Sequence, residues 1–329
     1  MNNTSALPFK NVLGILRDEG KALEENLYHR LSSLSAPDQI ELENAWDEIP
    51  VSRREELLTR AKLHAKDNLL LSYLALGKIA VEDTNPQIRV LALQLLFDEE
   101  EVSLAHLYLN RLEFDDDTEV RATAASGLGN FVYLGELEEI PRTLYKSIES
   151  QLMTLTRSSE APAIRRRALE SLGFSSHGDM LPIIEEAFSS DEDEWVTSAL
   201  FAMGRSANKR WSKDVATMLD HDSPMVRLEA IRAAGELEMQ DNTELILEAL
   251  NDPSLEVRDA AIWTLSQIGG ETAQAALTTL FEIAEEQEDN ELAVYLDEAM
   301  ENLSFTDDIN RTMSLLEFDD DAYLDELGL

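Results

Sequence analysis

One pattern recurs along the chain at a fixed spacing. An aliphatic leader is followed directly by Arg, by Ala four positions after the leader, and by an apolar residue eight positions after it. Ile88-Arg89 leads to Ala92 and Leu96, Val120-Arg121 to Ala124 and Leu128, and Ile164-Arg165 to Ala168 and Leu172. Val226-Arg227 leads to Ala230 and Ala234, and Val257-Arg258 to Ala261 and Leu265. Weaker copies run Trp195, Ala199, Met203 and Tyr295, Ala299, Leu303. The leaders at 164, 195, 226 and 257 are each 31 residues apart. A period of this length marks a stack of supersecondary units, each burying its apolar face on the next.

Offsets of four and eight put the leader, Ala and Leu on one face of a helix, and the fifth position (Leu93, Leu169, Leu200, Ile231, Ile262) widens it. The seventh position is small (Gly127, Ser171, Ala202, Ala233, Thr264), which lets neighbouring helices approach closely. Asn85-Pro86 and Ser223-Pro224 read as N-caps followed by proline at the first helical position, with Asp117 and Ser254 as caps without proline. Gly129, Gly173, Gly204 and Gly235, nine residues after their leaders, read as helix stops. An amphipathic segment precedes each motif helix, so the unit is a helical hairpin. Between Val120 and Ile164 the spacing is 44, and the 13 extra residues are expected to lengthen the first helix of that hairpin, around 136–157.

The run Val-Arg-x-x-Ala-x-x-x-Leu-Gly, preceded by Asp, Ser or Asn near a proline, resembles the HEAT repeat, closest to the short bacterial form named for phycobilisome lyases. The resemblance covers about residues 69–304. It implies an all-α fold, an α-α superhelix or HEAT-like (armadillo-like) solenoid of about seven hairpins with a helical N-terminal cap. The family includes scaffolds, bilin lyases, a DNA glycosylase group and a metal-dependent hydroxylase, so the resemblance implies fold more sharply than activity.

The domain expectation follows: residues 1–66 a non-repeat helical cap, 67–304 the repeat array, and 305–329 an incomplete capping hairpin with an acidic tail. Leu316-Glu-Phe-Asp-Asp-Asp321 repeats Leu112-Glu-Phe-Asp-Asp-Asp117, which suggests the first helix of an unfinished hairpin. The longest strongly apolar run, 68–81, is broken by Ser72, Gly77 and Lys78, short of a membrane span, and no secretory pattern opens the chain. The chain has no cysteine, which removes disulfides, thiolate catalysis and cysteine zinc sites and is compatible with a reducing cytoplasm, the expected location.

Net charge is −39 and unevenly spread. Residues 1–80 carry 10 basic and 12 acidic side chains, residues 81–239 carry 15 and 30, and residues 240–329 carry 2 and 24. Such a field repels nucleic-acid backbones and anionic membranes and favours basic partners. Two readings of the acidity stay open: general solubility or salt adaptation, and an acidic surface that binds something basic.

No catalytic constellation emerges. None of His29, His64, His106, His177 and His221 is followed by Glu, so the His-Glu pairs that the hydroxylase relatives imply are absent. There is no phosphate loop, nucleophile elbow or EF-hand, and no metal or other cofactor is expected. The informative position is the sixth after the leader: Gln94, Ser126, Glu170, Phe201, Arg232 and Trp263. It lies off the apolar stripe, on the side that the resemblance places near the concave surface, and Phe201 and Trp263 are unexpected there. Joint-covering and partner contact both remain open for them. With Arg166 one turn earlier, the candidate partner-binding residues are Arg166, Glu170, Phe201, Arg232 and Trp263. A basic island is formed in sequence by Arg165, Arg167, Arg205, Lys209, Arg210 and Lys213, with mutual pairing to carboxylates as the plainer reading. The functional expectation is a non-enzymatic scaffold or adaptor for a protein or peptide, with two alternatives: a bilin lyase-like enzyme, and an acidic chaperone or DNA-mimic decoy.

Overall fold

The computed structural model describes residues 7–32 and 34–327, with the side chains of residues 310 and 313–327 left out. Every regular element among the described residues is helical. The chain divides into two compact units, Met1–Ser175 and Ser176–Leu329.

The first unit holds α1 (Phe9–Leu16), α2 (Glu25–Leu31), α3 (Ala36–Ala45), α4 (Val51–Asp67), α5 (Leu74–Ala80), α6 (Pro86–Leu95), α7 (Val102–Phe114), α8 (Thr118–Glu136), α9 (Arg142–Thr156) and α10 (Pro162–Ser171). The second holds α11 (Met180–Phe188), α12 (Asp193–Arg205), α13 (Ser212–Met218), α14 (Pro224–Glu236), α15 (Thr243–Ala249), α16 (Leu255–Ile268), α17 (Glu271–Glu286) and α18 (Asn290–Leu327). In both units the motif helices pack on one another in order, α6 on α8 on α10 and α12 on α14 on α16 on α18, each also against the helix that precedes it. The fold is of the α-α superhelix class. The register read from the sequence is the one that packs: Ile88, Ala92, Val120, Ala124, Val226, Ala230, Val257 and Ala261 are all fully buried. Each Val or Ile so buried contributes about 1.5–3 kcal/mol.

An arginine–aspartate ladder ties successive hairpins together. An aspartate two residues before the helix cap turns the chain by accepting the cap residue's N–H. Asp83 does so for Asn85 at 2.7 Å, Asp115 for Asp117 at 3.0 Å, and Asp252 for Ser254 at 2.8 Å. The same carboxylate receives the motif arginine of the preceding hairpin. Arg89 grips Asp115 with two bonds of 2.9 and 2.7 Å, and Arg227 grips Asp252 with two of 2.7 and 2.8 Å. Arg89 also reaches the Asp83 carbonyl at 2.9 Å, and Arg227 that of His221 at 2.7 Å, so each arginine spans two loops. Planar bidentate geometry of this kind is what arginine supplies and lysine does not. Where the motif arginine is replaced, at Val196, the aspartate position of the next loop is His221, whose Nδ1 accepts the Ser223 N–H at 3.1 Å.

The ladder extends beyond the motif. Arg54 of α4 donates to Asp83, which Trp46 Nε1 also reaches at 2.7 Å. In α4 the leader position is Arg53, followed by Arg54, Leu57 and Ala61 at the motif offsets, and α4 packs on α6 as the motif helices pack on each other. Within residues 1–66, α4 thus adds a helix to the same stack.

Four local expectations change. Asn85 and Asp117 cap their helices, but Ser223 and Ser254 make no side-chain cap; the Ser254 hydroxyl donates instead to Glu256 at 2.7 Å. Gly129, Gly204 and Gly235 lie inside helices, and Gly173 in the 3₁₀ turn that continues α10, all without positive φ, so they are not left-handed stops. Gly204 and Gly129 serve close approach instead: a Cβ on Gly204 would lie 3.1 Å from Ala233 Cα, and one on Gly129 3.3 Å from Ser171 Oγ. The additional residues between Val120 and Ile164 are shared between α8, 19 residues long, and α9, 15 residues long, rather than lodged in α9 alone. Finally, α18 runs unbroken from Asn290 to Leu327, so position 305 falls within a helix. Among the described residues no helix is long and apolar enough to cross a membrane.

Candidate functional site

On a motif helix the positions one before the leader and two, three, six and ten after it form one strip facing away from the buried arc. In the second unit this strip, repeated on α12, α14 and α16 and closed by Tyr295 of α18, lines a groove of about 530 Å³. The sixth positions contribute Phe201, Arg232 and Trp263; the tenth contribute Arg205, Glu236 and Gln267. Glu229, Glu256 and Asp259 complete the polar lining.

The small seventh and ninth residues make this packing feasible. A Cβ on Gly235 would lie 2.3 Å from Gln267 Oε1 and 3.2 Å from Thr264 Oγ1, so the glycine is what lets the α16 side chains lie across α14. The Thr264 hydroxyl donates to the Ile231 carbonyl at 3.0 Å, a direct tie between the two helices.

Within the groove both guanidinium groups have acidic neighbours. Arg205 lies 5.0 Å over the Phe201 ring with Nε 3.5 Å from Glu236, and Arg232 sits 3.5 Å from Glu229. Burial raises the Glu236 carboxyl above its ordinary range against the pull of Arg205 and Arg232. Asp259 is also raised, by burial first and by Glu256 and Glu291, with Arg258 opposing. Among the described residues no side-chain donor reaches the Asp259 carboxylate; its backbone carbonyl accepts the Tyr295 hydroxyl at 3.0 Å. Trp263 is 39% exposed, a large apolar surface left in water.

The structure thus brings Phe201, Arg232 and Trp263 together, with Arg205 of the basic set beside them. Arg166 and Glu170 lie on α10 of the first unit, where Glu170 is buried and paired with Arg167. Arg165 donates to the Thr156 carbonyl at 3.2 and 3.1 Å. Lys209 lies 3.5 Å from Glu238, Arg210 pairs with Glu185 at 2.7 Å, and Lys213 is exposed. The sequence-contiguous basic residues are therefore divided between units and largely engaged locally. The sequence marks Tyr295 only as the leader of a weak copy, and gives no signal at Glu229. The tenth position, one turn beyond the sixth, is the signal that finds Glu236 and Gln267. His221 and His177 accept backbone N–H groups at 3.1 Å, His64 stacks 4.5 Å from Tyr28, and no group of metal-ligating side chains forms among the described residues.

A family model of HEAT repeats matches residues 105–204 and 213–295, more than half of the chain. The chain belongs to the HEAT-repeat family. Solved structures similar to this HEAT-repeat chain include YibA of Escherichia coli, 17% identical over 87% of this chain and 98% of that one, with a TM-score of 0.42. The CpcE–CpcF complex of phycocyanin lyase from Nostoc sp. PCC7120 is 20% identical over 70% of this chain and 94% of that one, at 0.45. Human deoxyhypusine hydroxylase, in complex with glycerol, is 16% identical over 79% and 95%, at 0.35. At scores of this size the likenesses carry no argument about activity. No curated protein matches the chain.

Proposed function

We propose that this HEAT-repeat protein is a non-enzymatic scaffold or adaptor that binds a protein or peptide along the strip of its motif helices. The carrying observation is the groove in the second unit, where Phe201, Arg232 and Trp263 meet on three successive helices. Aromatic and arginine side chains at the centre of an open groove are the usual anchors of protein interfaces. The spacing of the strip favours an elongated segment, because each helix offers the same positions in turn.

The test is affinity capture from the source cells with the wild-type chain and with the double variant Phe201→Ala/Trp263→Ala. The reading expects one or more proteins retained by the wild type and released by the double variant while the variant's helical content is unchanged. Identical captured sets for the two proteins would overturn it.

A further inference from the structure

The charges of the groove do not cancel. Its lining holds four carboxylates, Glu229, Glu236, Glu256 and Asp259, and two guanidinium groups, Arg205 and Arg232. Arg232 pairs with Glu229 and Arg205 with Glu236. That leaves Glu256 and Asp259, both on α16, as the surplus. They stand one turn apart, and Trp263 follows Asp259 by one further turn, so the two carboxylates and the indole share a single helix face. Glu256 is exposed, accepting from the Ser254 hydroxyl, and the Asp259 carboxylate has no side-chain donor among the described residues. The Tyr295 ring closes the far side. The surrounding segment adds to the negative field: residues 240–329 carry 24 acidic and 2 basic side chains.

We propose that this end of the groove holds an arginine side chain of a basic partner protein, its guanidinium against Trp263 and within reach of the Asp259 and Glu256 carboxylates. The proposal rests on the scaffold reading and names the chemistry of the partner. Guanidinium suits the place because it is planar, stacks on an aromatic face and donates to carboxylates through a rigid fork. The long-range acidic field steers a basic segment toward the molecule, and the paired Arg205 and Arg232 leave no surplus cation to repel it. A neutral or acidic segment would leave the Asp259 carboxylate with no side-chain donor in a partly buried setting, where Arg258 acts on it only through its charge.

The experiment uses the full chain and two labelled short peptides, one alternating arginine and glycine and the other glutamate and glycine, titrated by fluorescence anisotropy at low salt. The arginine peptide is expected to bind and the glutamate peptide not to. Trp263→Ala and Asp259→Asn are each expected to weaken binding by about tenfold, the equivalent of about 1.4 kcal/mol. Glu285→Gln/Glu286→Gln removes two exposed carboxylates of α17 outside the groove lining and is expected to change binding by less than about twofold, a diffuse field effect. Thermal melts followed by circular dichroism establish that the variants are folded. Equal weakening by the α17 variant, or no weakening by the Trp263 and Asp259 variants, overturns the proposal, as does failure of the arginine peptide to bind. A glutamate peptide that binds in a Trp263-dependent way overturns the arginine assignment but leaves the scaffold reading standing.

Discussion

The strip of outward positions on the motif helices is built differently in the two units, although the helices share one register. In the first unit its sixth positions are Gln94, Ser126 and Glu170, each occupied by the chain itself. Gln94 accepts from Lys62 at 3.0 Å, Ser126 from within its own helix donates to the Ala122 carbonyl at 3.4 Å, and Glu170 is buried beside Arg167. In the second unit the same positions are Phe201, Arg232 and Trp263, which line an open groove. The lesson is that the buried leader, fourth and eighth positions fix the stack and leave the opposite strip free to carry other chemistry. One unit closes that strip with its own contacts and the other leaves an indole in water.

The most forceful way to break the comparison is to attack the shared frame. Asp83 has a side chain with no exposure and serves Arg54, Trp46 and the Asn85 N–H together. Asp83→Ala leaves a buried guanidinium without its carboxylate, and a loss of about 3–5 kcal/mol is expected in the first unit. The corresponding Asp252→Ala acts on a rung whose side chains are 12% and 8% exposed, and Arg227 keeps its two loop carbonyls. A smaller loss of about 1.5–3 kcal/mol is expected there, as for hydrogen bonds to charged groups. Urea unfolding of both variants checks the order; a reversed order would mean that the ladder does not hold the two units in the same way.

Next in size are the glycines that permit close approach. A Cβ on Gly127 would lie 2.3 Å from the Tyr108 ring, which is fully buried and donates its hydroxyl to the Leu93 carbonyl at 3.0 Å. Gly127→Ala is expected to cost about 1–3 kcal/mol through overpacking. Gly235→Ala meets the end of the Gln267 side chain, which can swing into the groove, and the Thr264 hydroxyl at 3.2 Å, which has to give by a few tenths of an ångström. The improved helix propensity of alanine, up to about 1 kcal/mol, offsets much of that contact. Thermal denaturation of the two variants is expected to show a clear drop for the first and little change for the second.

These contrasts also show what the sequence reveals. The motif helices α6, α8, α10, α12, α14 and α16 are legible because their buried positions are apolar at the helical period. Helix α4 is not, because its leader position is Arg53, a buried charged residue whose guanidinium donates to Glu56 and the Ile15 carbonyl. A search for an aliphatic leader passes over it. The glycines mislead for a different reason: nine residues after the leader is the end of a minimal helix, but only packing against the next helix shows that the turn continues. The groove was half legible. Phe201 and Trp263 stand out as apolar residues at solvated positions, whereas the carboxylates around them are inconspicuous in a chain with 66 acidic residues.

The smallest expected effect sharpens the comparison between frame and groove by its sign. The Asp252 carboxyl is held below its ordinary range, first by hydrogen bonds from Arg227, against a contribution from burial. A depressed folded value means that its stabilisation is present above the unfolded value of about 3.9 and is lost as pH falls through the folded value below it. Asp259 has the opposite shift, because burial and the neighbouring Glu256 and Glu291 outweigh Arg258. Its ionised form is disfavoured in the folded chain, so its effect on stability is most favourable below the unfolded value and is lost as pH rises through the raised one. Asp252→Asn should therefore flatten the acid side of the stability profile and lower stability at neutral pH. Asp259→Asn should leave the acid side unchanged and raise stability at neutral pH, by less than about 1 kcal/mol because the site is screened by water. Denaturation midpoints measured from about pH 3, below the unfolded carboxylate value, up to neutral pH separate the two. If Asp259→Asn both weakens the arginine peptide and stabilises the chain, the carboxylate is kept at a cost to folding, as groups retained for binding commonly are. If it destabilises the chain at neutral pH, Asp259 belongs to the frame, and the strip of the second unit is closed by its own contacts as in the first.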